Sequence, residues 1–262
     1  MMRGIDVSNW QNGLNVTTLD IDFCIAKATE GVGYSDPAFD KFAQQALQRG
    51  LLFGFYHFAR ENSPKNEAQY FWSRVKALSG KGIPVLDYEV HNSNNRAWVE
   101  SFATEYKKLS GMYPVMYCSA AMCAEFNGSW IVDKMPLWVA GYPYPATQWT
   151  QNYCPYDVHP WKSPIMWQFT SNLQLPGYQG RLDGNVAYIG ELEWELLQEG
   201  YTMSQISDMA RKIDDIHNYL FDVKDVTGRG KEATMKARVN YMAAKQEKEL
   251  ELLEKIDAKI KK

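Results

Sequence analysis

The segment Ile83-Pro84-Val85-Leu86-Asp87-Tyr88-Glu89-Val90 is an apolar, strand-like run that ends in two acids. Side chains two positions apart on a strand point to the same face, so Asp87 and Glu89 are predicted to project together. At the carboxyl end of a barrel strand they would enter the mouth, where barrel active sites are built. The apolar flank disfavours the alternative of an edge strand with solvated acids.

Short β-rich runs recur along the chain on both sides of this segment, and helix-like segments separate them. The predicted strands are residues 4–8, 23–28, 52–58, 84–90, 115–119, 137–141, 165–170 and 183–188. The predicted helices are residues 38–49, 64–78 and 96–109. This alternation is typical of βα units around a parallel sheet. We therefore predict an α/β fold, an irregular TIM-like (β/α) barrel with eight strands, followed by a C-terminal helical segment.

The character of the sequence changes after Glu191. Ile206, Ala210, Ile213, His217 and Leu220 step by four and three, as the apolar seam of a coiled coil does. A glycine-containing break at residues 227–230 precedes a second, interrupted seam. We predict a barrel domain over residues 1–195 and a helical segment over residues 196–262, which forms a hairpin or a coiled segment for homo-oligomerisation or wall targeting. For the Lys- and Glu-rich final helix, a merely solvated face is the alternative.

Composition narrows the class of protein. The 262 residues are 45% hydrophobic and 23% charged, as in a soluble protein with a sizeable core, and the net charge of −3 argues against a nucleic-acid partner. Its 9 Trp, 16 Tyr and 11 Phe suit the faces of sugar rings, although such rings also fill cores. Its four cysteines form no CxxC pair, which favours reduced thiols. No apolar leader or span of about 18 residues is seen, so we expect synthesis in the cytoplasm and no stable membrane insertion.

Two further acids join the predicted mouth if the barrel closes. Asp6 ends the first predicted strand and Asp183 opens the last, and these strands would be neighbours. Four acids would then ring one cavity. Within the pair Asp87 and Glu89, repulsion between the carboxylates raises the pKa of at least one, which is how a carboxylic acid stays protonated near neutral pH. Taken singly, Asp6 is equally well explained as a cap and Asp183 as the first residue of an Asp-Gly turn.

Other side chains near the strand ends are candidates for a substrate groove or for the core. The groove candidates are Tyr56, Tyr117, Trp138 and Gln168. Lys27 and Glu30 are placed for a structural ion pair. His57 and His91 lack metal-binding spacing, so hydrogen-bonded histidines are favoured over metal ligands. No metal and no cofactor are expected.

Six motifs in order resemble the lysozymes of glycoside hydrolase family 25, which are often phage endolysins and bacterial autolysins. The resemblance covers about residues 3 to 195. The motifs are Gly4-Ile5-Asp6-Val7-Ser8 with Gln11, Ala26-Lys27-Ala28-Thr29-Glu30-Gly31, Gly54-Phe55-Tyr56-His57-Phe58, Leu86-Asp87-Tyr88-Glu89, Trp138-Val139-Ala140, and Trp167-Gln168-Phe169 with Asp183. The resemblance implies an irregular barrel with five βα units and three further strands.

The resemblance also implies the chemistry. The substrate would be bacterial peptidoglycan, cut at the β-1,4 bond between N-acetylmuramic acid and N-acetylglucosamine. Glu89 would be the general acid, and Asp87 would orient the substrate's N-acetyl group or stabilise the positive ring in a retaining reaction. Asp6 and Asp183 would complete the acidic floor. Such a chain, made without a signal peptide, would act on the cell wall as a phage endolysin or an autolysin.

Two other functions stay open at this stage. A catalytically weak wall-binding module would keep the groove but release no reducing ends from purified walls. A divalent-metal hydrolase or deacetylase would use the acid ring as ligands, and a chelator would abolish its activity. The tail departs from the relatives that carry wall-binding repeats, because residues 201–262 show neither repeats nor clustered aromatics.

Overall fold

The computed structural model describes residues 1–90 and 94–221, with side chains described up to residue 213. Residues Met1–Ile206 form one compact unit, and a second unit begins at Ser207. None of the described helices combines the length and the apolarity that a bilayer crossing requires.

Eight strands close into a barrel, as predicted. They are β1 (Met2–Val7), β2 (Phe23–Glu30), β4 (Leu52–Phe58), β5 (Ile83–Asp87), β6 (Val115–Ser119), β7 (Leu137–Ala140), β8 (Met166–Leu173) and β9 (Leu182–Ala187). The strand order is β1-β9-β8-β7-β6-β5-β4-β2, and pairing of β1 with β2 completes the ring. The two-residue strand β3 (Tyr34–Ser35), which the sequence pattern did not predict, pairs antiparallel with β2.

The first half of the barrel is regular and the second half is not. Helices α1 (Phe39–Arg49), α2 (Pro64–Val75) and α3 (Asn95–Ser110) follow β2, β4 and β5, where helices were predicted. Beyond β6 the only described helix before β9 with α-helical geometry is the one-turn α4 (Ile131–Lys134). Strand β9 runs antiparallel to both β8 and β1. This is the irregularity that the shortage of helix between the later strands predicted.

Strand parity separates the barrel interior from the layer between strands and helices. In β4, Phe53 and Phe55 face outward, and ring contacts of 5.9 to 6.4 Å link them to aromatic rings of α1 and α2. The intervening Gly54 faces inward, where a Cβ would lie 3.1 Å from both Ile25 and Ile83. Apolar side chains thus fill the lower interior, and polar ones gather at the carboxyl ends of the strands.

Helix α5 (Glu191–Gln198) closes the amino end of the barrel. Its Trp194 is fully buried, packs 5.1 Å from the ring of Phe23 and donates a hydrogen bond from Nε1 to the Phe53 carbonyl at 3.1 Å. Phe23 and Phe53 stand at the starts of β2 and β4, so the indole seals the end opposite the acids. Sequence analysis placed a change of character at Glu191 but no helix that covers the barrel.

Helix α6 (Met203–Phe221) coincides with the first predicted apolar seam. Within it Ile206 is buried and Ile213 is 61% exposed. The second seam and the proposed helical hairpin lie outside the described residues. The domain boundary at residue 195 and the oligomerisation hypothesis therefore stay predictions.

Candidate active site

Four acids meet at the carboxyl end of the barrel, as their positions in the sequence predicted. Asp6 and Asp183 are directly paired on the neighbouring strands β1 and β9. Asp87 is the last residue of β5, and Glu89 lies just beyond it. The observed strand β5 ends at Asp87, whereas the predicted strand ran to Val90. Just beyond β5, the Tyr88 amide donates a hydrogen bond to the Tyr117 carbonyl at 2.9 Å.

Asp6 is the most firmly held of the four. Its Oδ2 accepts hydrogen bonds from Gln168 Nε2 at 2.8 Å and from Asn185 Nδ2 at 2.7 Å. Burial raises the pKa of Asp6 well above its usual value, the Asp183 charge raises it further, and the two amide hydrogen bonds oppose the rise. The protonation of Asp6 therefore depends on the charge of Asp183.

Asp87 is buried, and hydrogen bonds compensate only poorly for the water that its carboxyl group loses. Its Oδ1 has no hydrogen-bond partner among the described residues. Burial raises the pKa of Asp87 well above the ordinary value, and the charges of Glu89 and Asp6 raise it further, whereas Lys27 lowers it. A buried polar atom without a hydrogen bond costs about 1–3 kcal/mol in free energy. A ligand that donates a hydrogen bond to this oxygen would recover that cost.

Glu89 is the exposed member of the group. The walls of the mouth still remove enough water to raise the pKa of Glu89 above 4.5, against the opposing effects of the Tyr117 hydroxyl and the Lys27 charge. Asp183 is half-buried, and burial together with the Glu89 charge raises its pKa to about 6. The site therefore combines a reachable carboxyl group, whose pKa is raised by burial, with three aspartates whose pKa values its charge raises.

Two aromatic rings in contact, each hydrogen-bonded to an amide side chain, form the wall beside the acids. Asp87, Tyr117 and Trp138 are paired across β5, β6 and β7, and the two rings lie 4.6 Å apart at an angle of 65°. The Tyr117 hydroxyl donates to Gln168 Oε1 at 2.8 Å, and Trp138 Nε1 donates to Asn185 Oδ1 at 2.9 Å. Each of these partners also donates to Asp6, so wall and floor form one network.

The four predicted groove residues all reach this end of the barrel, but none is an open surface. Tyr56, Tyr117, Trp138 and Gln168 are between 2% and 9% exposed. Burial and the charges of Asp6 and Asp87 raise the pKa of Tyr56 well above 10. Gln168 bonds to Asp6 directly and Trp138 bonds to Asn185, which itself bonds to Asp6, and the sugar-lining role of these residues stays a prediction.

Sequence analysis did not single out Asn185, Tyr142 or Trp10. Asn185 is fully buried and bridges Asp6 and Trp138, and its two-residue spacing from Asp183 on β9 is the signal that could have found it. The Tyr142 hydroxyl donates to Gln168 Oε1. Trp10 is 88% exposed on a short turn after β1.

The ion pair and the histidine behave as predicted. Lys27 pairs with Glu30, and Arg60 Nε donates to Glu30 Oε1 at 2.8 Å. His57 is buried behind the site, between Thr29 Oγ1 and Glu67 Oε2 at 2.8 Å each, so it serves as a hydrogen-bonded core residue. His91 lies outside the described residues.

Within residues 1–90 and 94–221, no group of three or more His, Cys, Asp or Glu side chains is arranged to hold a metal ion. All four cysteines are free thiols, and the Sγ atoms of Cys118 and Cys123 are 3.9 Å apart. The arrangement at the mouth suits proton transfer, because an accessible glutamate whose pKa is raised by burial stands within a cluster of further acids.

Comparison with known proteins agrees with this geometry. The family model for glycosyl hydrolases family 25 matches residues 5–178. Lysozyme M1 of Streptomyces globisporus is 32% identical over 70% of this chain and 67% of its own length, and the N,O-diacetylmuramidase of Chalaropsis sp is 26% identical over 73% and 98%. The crystal structure of a bacterial lysozyme from Streptomyces coelicolor superimposes with a TM-score of 0.66 at 28% identity, covering 76% of this chain and 97% of that one. The chain belongs to glycosyl hydrolases family 25.

Proposed function

We propose that this chain hydrolyses the β-1,4 bond between N-acetylmuramic acid and N-acetylglucosamine in bacterial peptidoglycan, with Glu89 as the proton donor. The observation that carries the proposal is a reachable glutamate whose pKa is raised, set two residues after the buried Asp87. A general acid works best when its pKa approaches the working pH. Membership of the family and the lysozyme and muramidase names of its relatives supply the substrate class.

The remaining acids have supporting roles in this proposal. Asp87 has a buried oxygen to which no described residue donates a hydrogen bond, which suits it to orient the N-acetyl group of the substrate or to stabilise the positive ring. In this proposal Asp6 and Asp183 form the acidic floor of the mouth, where burial and the Glu89 charge raise their pKa values. Proton donation to the glycosidic oxygen by one carboxyl and stabilisation of the cationic ring by another are the two tasks of a glycosidase.

Substrate contacts extend beyond the acids. The turn that bears Trp10 follows β1 at the mouth end and is fixed by a reciprocal pair of hydrogen bonds between Ser8 and Gln11. An indole that is 88% exposed offers a flat face for a further sugar of the glycan chain. The enzyme would act at the cell wall, and lysis of bacteria as an endolysin or autolysin is the physiological role that we propose.

The test is the Glu89→Gln variant, assayed by the release of reducing ends from purified cell walls. Activity should fall about 10²–10⁴-fold, because the acid is lost while its shape is kept. Glu199→Gln is the matched control, since Glu199 is an exposed residue at the closed end of the barrel. Retention of more than about a tenth of the activity would remove Glu89 from the role of proton donor. Failure of the unmodified enzyme to release reducing ends would favour the wall-binding alternative.

A further inference from the structure

A hollow of about 470 Å³ lies at the rim of the barrel, over the carboxyl ends of β6 and β7. Its lining consists mostly of small residues, namely Ser119, Ala120, Ala121, Ala140 and Gly141, and Tyr156 and Asp157 complete it. The hollow is open to solvent, so a chain that enters it can also leave it. Its volume lies within the range of sites that bind small molecules, about 300–1,000 Å³.

The hollow lies beside the active site along the sheet. Ala140 is paired with Gln168 on β8, and the Gly141 amide donates to the Gln168 carbonyl at 3.1 Å. Gln168 in turn donates from Nε2 to Asp6 Oδ2. The strands beneath the hollow, β6 and β7, are therefore direct neighbours of β5, which bears Asp87, and of β8, which bears Gln168.

The wall of the hollow is fixed in place by a glycine. A Cβ at position 141 would lie 2.4 Å from the ring of Tyr156, so only glycine permits this approach. The Tyr156 ring packs edge-on against Trp167 at 6.3 Å, and Trp167 Nε1 donates to the Gly141 carbonyl at 2.8 Å. The shape of the hollow is thus set by packing.

The chemistry of the lining indicates the kind of ligand. Alanine and glycine leave room for small apolar groups. Asp157 is exposed at the edge, where its Oδ1 accepts a hydrogen bond from the His159 amide at 2.9 Å. Asp157 forms no ion pair with any residue that the structure describes. A ligand with methyl-sized side chains and a cationic group complements this surface.

We propose that the hollow binds the peptide substituent of the muramic acid, with its small side chains over Ala121 and the amine of its diamino acid facing Asp157. The inference rests on the proposed function. In that reaction the anomeric carbon of the muramic acid reacts, so the peptide-bearing sugar occupies the mouth. Its peptide must then leave close to the acids, and the hollow lies over the strands next to β5 and β8.

The test compares two substrates, glycan strands with their peptides and the same strands after an amidase has removed the peptides. Ala121→Trp fills the hollow. We expect the ratio of kcat/KM, that for strands with peptides divided by that for strands without, to fall about tenfold, equal to about 1.4 kcal/mol. Ala124→Trp is the control, because Ala124 is exposed on the same 3₁₀ segment, Ala120–Phe126, but does not line the hollow. An Ala121→Trp ratio equal to that of the control overturns the inference.

A second variant tests the charge and decides the matter if Ala121→Trp does not fold. Asp157→Asn keeps the oxygen that bonds to the His159 amide but removes the charge. It should lower the ratio for peptides with a free side-chain amine and leave it unchanged for N-acetylated peptides. An unchanged ratio with the free amine overturns the assignment to Asp157. If the unmodified enzyme cleaves neither substrate, the proposed function fails, whereas cleavage of both with unaltered ratios in the variants defeats only this inference.

Discussion

Replacement of Asp183 by asparagine should stabilise the protein at alkaline pH and not at acidic pH. Burial and the Glu89 charge raise the pKa of Asp183 from 3.8 to about 6. A carboxyl group with a raised pKa binds its proton more tightly in the folded state. Its contribution to stability is therefore complete below pH 3.8 and is lost as the pH rises through about 6. Asparagine carries no charge at any pH, so the variant avoids this loss.

The magnitude follows from the size of the shift. A rise from 3.8 to about 6 has an upper limit of about 3 kcal/mol at about 1.4 kcal/mol per pKa unit. Because Asp183 is half-buried, solvent screening reduces this to about 1–2 kcal/mol. In a unit of this size that corresponds to a rise in Tm of about 2–8 °C. The Asp183 side chain accepts no hydrogen bond within the described residues that the substitution would break.

Thermal unfolding at about pH 4 and about pH 8 measures the effect. We expect Asp183→Asn to melt higher than the unmodified enzyme at the alkaline pH and close to it at the acidic pH. Asp20→Asn is the control, because Asp20 is exposed and lies away from the mouth. Activity on cell walls should fall while the alkaline Tm rises. Equal Tm differences at both pH values, or a lower Tm at pH 8, would refute the electrostatic reasoning.

Two further substitutions probe the network around the acids. Asn185→Leu removes a donor to Asp6 and the acceptor for the Trp138 indole, so it should cost about 2–5 kcal/mol in the free energy of unfolding, measured by denaturant titration; a loss below about 1 kcal/mol contradicts this role. Tyr117→Phe removes a hydroxyl that lowers the pKa of Glu89. The alkaline limb of the profile of kcat/KM against pH should therefore move to higher pH. A limb that stays in place or moves to lower pH counts against Glu89 as the acid.

Local patterns predicted the barrel and the position of its acids. All eight strands were predicted because each is a β-rich run, and two-residue alternation then places Asp6, Asp87 and Asp183 toward the interior. Closure of the ring was inferred rather than visible. It depends on the pairing of β1 with β2 and β9, which joins residues that are up to 185 positions apart.

Long-range contacts were beyond prediction from the sequence. Asn185 bonds to Asp6 across 179 residues, and its two-residue spacing from Asp183 indicates only that it shares a strand face with that acid, not that Asp6 is its partner. The rim hollow depends on Tyr156 and Asp157, which lie between β7 and β8 in a stretch without strand or helix. Trp138 is 2% exposed, and its indole bonds to Asn185, a distant residue. Its position near a strand end predicted a groove role, and the local sequence does not reveal this burial.

The register of β5 links the stability of the barrel to its chemistry. Leu86 and Tyr88 are fully buried in the outer layer, where the Tyr88 ring packs 5.3 Å from Trp98. Burial of large apolar side chains contributes about 1.5–3 kcal/mol each, and it fixes which face of the strand turns outward. A slip by one residue would exchange this pair with Asp87 and Glu89. The packing that holds β5 against α3 therefore also keeps both acids at the mouth, and it offsets the cost of burying Asp87 with one oxygen that no described residue satisfies.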